Sequence, residues 1–220
     1  MIIKFTQRIL FFILKPFYLF FTNCTVYGKE NLKNIKEPII ITMNHKSAID
    51  AFIFFVNIPM HLYLNLSPMR FMVETGKFHT ASLNFFKNIG LVRLICIVFG
   101  HFQVVRGAKL SENLKESLEF LKSSNNGAVF IFIEGERILG DKFGKPRRGV
   151  AALAIASKKM VLPISIKGSD DMNLFNFWRK KVIINIGELF QAPNFREYED
   201  EYYQEETFYI MNKIQELYKK

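Results

Sequence analysis

His45 and Asp50 stand five residues apart in "NHKSAID" (44–50), directly after the apolar run "PIIIT". A carboxylate on one imidazole nitrogen fixes the tautomer and leaves the other nitrogen free as a general base. No serine or cysteine nucleophile is needed if that nitrogen activates a substrate hydroxyl directly. The same residues also have a purely structural reading. Ser47-Ala48-Ile49-Asp50 fits the S/T-x-x-D/E capping box, with Ser47 as N-cap and Asp50 at N3. The two readings are compatible. A side chain at N3 points back toward the helix N-terminus, where the preceding loop carries His45.

A second charged group follows another apolar run, in "FIEGER" (132–137). Arg137 offers a forked donor suited to phosphate, and Glu134 could orient it or bind a hydroxyl. Lys142, Lys145, Arg147 and Arg148 then lead to Gly149, the expected start of a helix. Cations at a helix N-terminus make an anion site, although a solvated polar loop accounts for them equally well. Arg106 in "QVVRG" is a third basic candidate, again directly after an apolar run.

The elements that must position these residues read as an α/β fold. Strands are expected at 38–42, 101–105, 128–133, 161–165 and 181–187. Helices are expected from Ser47 to Val56, over 111–123 and over 149–159, the second ending in the turn-forming "SNNG". Strands alternating with helices imply a central, mostly parallel sheet flanked by helices. Ligands of such sheets bind beyond the carboxyl ends of the strands, where "NHKSAID" and "EGER" both fall. No repeat, linker or composition break marks a second large domain.

Residues 1–24 read as an N-terminal amphipathic segment, leaving 25–220 as the main domain. The uninterrupted apolar run of this segment, Ile9 to Leu14, is too short for a clean membrane span. No small-x-small cleavage site follows that would mark a signal peptide. On a helical wheel Lys4, Arg8 and Lys15 fall within about 40° of one another, and most of the rest is aliphatic or aromatic. Such a helix can lie in a membrane interface with its cations at the headgroups; a core-packing helix is the alternative. Pro16 is expected to kink or divide it.

A formal charge of +10 favours anionic partners, and 24 phenylalanines, many in apolar runs, point to lipid before nucleic acid. The phenylalanines are not interleaved with Lys and Arg as in a base-stacking platform, so no nucleic-acid partner is expected. Cys24 and Cys96 have neither zinc spacing nor the number for a disulfide scaffold, and read as buried apolar residues in a reducing compartment. No metal site is expected. His61, His79 and His101 lack a nearby carboxylate and read as surface or satisfied core residues. Six acids between Glu197 and Glu206 read as a solvated helix or its lead-in, or as a partner for the chain's own basic face.

In order, "NHKSAID", "QVVRG", "FIEGER" and "VLPISIKG" resemble the four motif blocks of the PlsC-like glycerophospholipid acyltransferases, which include the 1-acylglycerol-3-phosphate acyltransferases. The resemblance runs from about Asn31 to Gln191 and is fullest at "NHKSAID", with Asn44 and Ser47 supporting the motif. It implies that His45 is the general base on an acceptor hydroxyl, that Asp50 orients it, and that Arg106, Glu134, Gly135 and Arg137 hold a phosphorylated acceptor. The implied substrates are a lysophospholipid and an acyl thioester, either acyl-CoA or acyl-carrier protein, with no cofactor. The implied setting is the cytoplasmic face of a membrane. Ile133 and Glu136 depart from the family's proline and threonine, and Glu74 or Lys77 falls where relatives often carry a lysine. A hydrolase using His45 on water, and a non-catalytic basic membrane-binding protein, are the competing expectations.

Overall fold

The apolar runs pair into one sheet in the computed structural model, which describes residues 2–21, 23–74, 91–170, 172, 180–192 and 200–220. Its strands are β1 (Asn23–Tyr27), β2 (Ile39–Met43), β3 (Met69–Glu74), β4 (Phe102–Val104), β5 (Ala128–Phe132), β6 (Met160–Lys167), β7 (Lys181–Ile186) and β8 (Phe190–Gln191). Their order is β1-β7-β6-β2-β5-β3-β4, with β8 beside β6. Only the pairings of β6 with β7 and with β8 are antiparallel. The expected architecture, a mostly parallel sheet flanked by helices, is the one found.

β2 and β5 lie at the centre, in register from Ile39 opposite Ala128 to Met43 opposite Phe132. Strands covered on both faces are apolar throughout, which is why "IIITM" and "AVFIF" show no polar alternation. Alternate residues still serve different cores. Ile39, Ile41, Met43, Ala128 and Phe130 pack on one face with Phe54, Phe55 and Leu62. Ile40 and Val129 pack on the other with Val150, Leu153, Ile210 and Ile214.

The first core is closed by α2 (Asp50–Asn57), α3 (Met60–Asn65) and α1 (Ile2–Phe21); the second by α5 (Leu110–Ser123), α6 (Gly149–Ser157) and α7 (Asp200–Lys219). The small residues of "GVAALAIAS" let α6 pack closely on β2 and α7. A further helix, α4 (Leu91–Phe99), packs against α1.

α1 continues through Pro16 as one helix. Two cations of its stripe, Lys4 and Lys15, contact the protein, while Arg8 between them is exposed. Lys4 Nζ donates to Asn126 Oδ1 at 2.7 Å, and Lys15 Nζ donates to the Ile58 carbonyl. Beside that stripe, the buried Gln7 donates to the carbonyls of Met69 and Phe99 and accepts from the Met69 N–H. Phe11 stacks on Tyr63 at 3.9 Å. Phe5, Ile9, Phe12 and Ile13 remain on the exposed side. Among the described residues no helix is long and apolar enough to cross a membrane.

Candidate active site

β2 delivers the motif. Beyond Met43 the buried Asn44 extends the sheet with its side chain: Nδ2 donates to the Ile166 carbonyl at 2.9 Å, and Oδ1 accepts the Ile166 N–H at 2.8 Å. His45 follows, its ring stacked on Phe132 at 3.7 Å. Its Nδ1 lies 3.0 Å from Asp50 Oδ2. Against an ionised carboxylate, which only accepts, Nδ1 is the donor, and a neutral imidazole then keeps its lone pair on Nε2. Nε2 has no hydrogen-bond partner among the described residues, and His45 lines a large cavity.

Asp50 is fully buried and accepts four further hydrogen bonds. Oδ2 takes the N–H groups of Lys46 and Ser47 at 2.6 and 2.7 Å; Oδ1 takes the hydroxyls of Ser47 and Ser169 at 2.6 and 2.7 Å. Half of the expected capping box is therefore present. The acid accepts the Ser47 N–H, but the Ser47 hydroxyl turns to the carboxylate and to Ile49 N–H, and the helix starts at Asp50 rather than at Ser47. The carboxylate gathers the loop around itself, which delays the first helical turn.

The turn after β5 encloses its own carboxylate. Glu134 is fully buried, with Oε2 accepting the His45 N–H and Oε1 the Gly144 N–H, both at 2.8 Å. Burial raises its carboxyl above the ordinary value, opposed by those two N–H groups and by the charges of Lys46 and His45. It stands behind the cavity and does not line it, whereas the resemblance puts it on the acceptor. Gly135 has φ +67°, and a Cβ there would meet Arg147 Cγ at 3.1 Å, so the turn favours glycine.

The cavity, about 1210 Å³, is lined by His45, Phe52, Phe55 and Tyr63 and also by Arg106, Gly135, Arg137 and Arg147. It exceeds the ~300–1,000 Å³ usual for small-molecule sites and joins a long apolar wall to a basic one. Two of its arginines are already paired: Arg106 Nε with Glu74 at 3.0 Å, and Arg147 Nη2 with Glu136 at 3.3 Å. Lys77 and His79 lie outside the described residues. His101 accepts the Phe71 N–H, and burial, with Arg70 nearby, lowers its imidazole to about 4, so it is a satisfied neutral residue. Burial pushes the Cys24 thiol up to about 12 and raises Cys96 as well, unlike reactive thiols.

Sequence reasoning missed Ser169, which reaches Asp50 across 119 positions and gives no local signal. Arg147 was visible only as one of several loop cations; its contacts to the Glu134 carbonyl and to Glu136 single it out.

The Acyltransferase family model matches residues 23–167, most of the chain. The probable 1-acyl-sn-glycerol-3-phosphate acyltransferase of Mycoplasma genitalium is 27% identical over 134 residues, 61% of this chain and 46% of that protein. The chain thus spans about half the length of that curated relative. The crystal structure of the 1-acyl-sn-glycerophosphate (LPA) acyltransferase PlsC from Thermotoga maritima aligns with 98% of this chain and 78% of that one, at TM-score 0.56 and 22% identity, a likeness of fold. The matched segment opens with β1 and closes with β6, enclosing both strand ends that carry the site, and the chain belongs to the Acyltransferase family.

Proposed function

We propose that this chain transfers an acyl group from an acyl thioester to the free hydroxyl of a lysophospholipid, 1-acylglycerol 3-phosphate above all, to give phosphatidic acid. The observation that carries this reading is His45, held through Nδ1 by Asp50 and opening on a cavity shared with Arg106, Arg137 and Arg147. Nε2 takes the acceptor's hydroxyl proton as the oxygen attacks the thioester carbonyl. The tetrahedral intermediate collapses, the C–S bond breaks, and the departing sulfur receives the proton from Nε2. Asp50 keeps the imidazole in one tautomer throughout; its four other hydrogen bonds hold the carboxylate still. The arginines hold the phosphate, and the apolar wall takes acyl chain. Glu134 acts from behind, fixing the His45 main chain.

The test supplies labelled acyl-CoA and lysophosphatidic acid to membranes containing the wild type or His45→Ala. Phosphatidic acid from the wild type, with a loss of at least ~10³-fold in the variant, is the expected result. Free fatty acid as the product would replace the transferase by a hydrolase. Acyl-carrier protein as donor is the second arm of the same assay.

A further inference from the structure

Lys46 is a position of "NHKSAID" for which the catalytic reading has no use, yet its side chain is fully buried. An ammonium withdrawn from water needs compensating partners. Its Nζ donates to the carbonyls of Gly140 and Lys142 at 2.7 and 2.5 Å, and lies 5.2 Å from the Phe143 ring and 5.6 Å from the Tyr218 ring. Those rings meet edge to face at 5.0 Å. Tyr218, in the last turn of α7, donates its hydroxyl proton to Asp141 Oδ1 at 2.7 Å. Gly140 N–H donates to Asp170 Oδ1 at 2.6 Å.

All of these contacts act on segment 138–146. The same segment gives the Ile138 N–H to the His45 carbonyl and the Gly144 N–H to Glu134, whose other oxygen takes the His45 N–H. It begins just after Arg137 and ends just before Arg147, two arginines that line the cavity. Its path therefore sets where both guanidinium groups stand relative to His45.

We propose that Lys46 is a positioning residue whose buried ammonium staples segment 138–146 under α7 and so fixes Arg137 and Arg147 relative to the imidazole. The kinetic consequence rests on the acyl-transfer reading; the structural consequence does not.

Full-length Lys46→Met, Tyr218→Leu and Tyr218→Phe test it by two readouts, amide hydrogen exchange over 138–146 and steady-state kinetics with lysophosphatidic acid and acyl-CoA. Lys46→Met and Tyr218→Leu are expected to speed exchange in the segment and raise the acceptor KM, each about tenfold, the scale of one hydrogen bond to a charged group. The donor KM and the pH profile of kcat/KM stay where they are. Tyr218→Phe keeps the ring over the ammonium but loses the hydroxyl bond to Asp141, and is expected to fall between wild type and Tyr218→Leu. Unchanged exchange and acceptor KM in both severe variants overturn the proposal, as does a fall in kcat at constant KM. Should Lys46→Met fail to fold, Tyr218→Leu decides, since it removes a ring that compensates the buried ammonium. Absence of acyl transfer in the wild type would sink the functional reading, and the exchange measurement would still judge the staple.

Discussion

Glu136 and Glu74 occupy two arginines that a phosphate would need, and the exposure of these pairs decides what that means. Arg147 and Glu136 are 60% and 45% exposed, and Arg106 and Glu74 are 52% and 26% exposed. Pairs this wet are worth ~0–1 kcal/mol each, so a phosphate offering stronger, forked hydrogen bonds displaces the carboxylate at little cost. On the proposed function, the carboxylate reclaims its arginine when product leaves and so weakens headgroup binding. The headgroup is the same in ground state and transition state, so this competition is felt uniformly in both. Glu136→Thr is therefore expected to lower the acceptor KM about fivefold, the equivalent of ~1 kcal/mol, while kcat stays level. Steady-state kinetics at saturating donor checks this; a change in kcat alone would place Glu136 on the chemical step. The sequence already marks both glutamates as departures from the family motif. Their partners could not be read there, because Glu74 and Arg106 meet only through the pairing of β3 with β4.

At the scale of elements, α7 shows how far composition misleads. Six acids between 197 and 206 read as solvated, yet Glu206 is 4% exposed and opens the helix's apolar run toward Ile210, Met211 and Ile214. Burial, partly offset by Lys213, raises its carboxyl to about 7. The folded chain thus keeps a proton that the unfolded chain releases near the ordinary 4.5, so stability declines as pH rises from 4.5 to 7 and is level above. Glu206→Gln has no such proton and is expected to gain ~1–3 kcal/mol at pH 8 and almost nothing at pH 4. Urea unfolding at both values separates the cases, since equal gains would assign the effect to packing. Elsewhere the sequence is more candid. β2, β5, α5 and α6 are legible because continuous apolar runs and helical spacing are local properties. β1 ("NCTVY") and β3 ("MRFMVE") are mixed in character and become strands through partners far along the chain, β7 and β5. The dyad was legible for the same local reason, while Ser169 and the burial of Glu134 were not.

On the scale of the whole molecule, α1 and α4 present exposed apolar side chains that the core does not use. Phe5, Ile9, Phe12 and Ile13 fall at helical spacing on the outer side of α1, and Leu94, Ile97 and Val98 do so on the adjoining α4. Two helices thus share an apolar face, although the sequence pointed to α1 alone. Lys4 and Lys15 of α1 are engaged by Asn126 and Ile58 while Arg8 stays exposed, so attachment to a bilayer would draw on burial of these side chains more than on those two lysines. The cavity lies against the same helix: Gln7, Leu10 and Phe11 of α1 line it together with His45. A lipid-embedded α1 would bring the mouth of the site to the bilayer surface, letting a lysolipid enter without crossing water. Burying one large apolar side chain is worth ~1.5–3 kcal/mol, so Phe12→Glu with Ile97→Glu should weaken binding to phosphatidylglycerol-containing vesicles at least tenfold. Both side chains are exposed, and the melting temperature should not move. Turnover of a short-chain, water-soluble acceptor should survive as well, because neither residue lines the cavity. Vesicle sedimentation at low and high salt separates the forces: apolar attachment persists as salt rises, and attachment by net charge does not. Vesicle binding unchanged by the double substitution would remove this face from the membrane and leave its exposed side chains to some other contact.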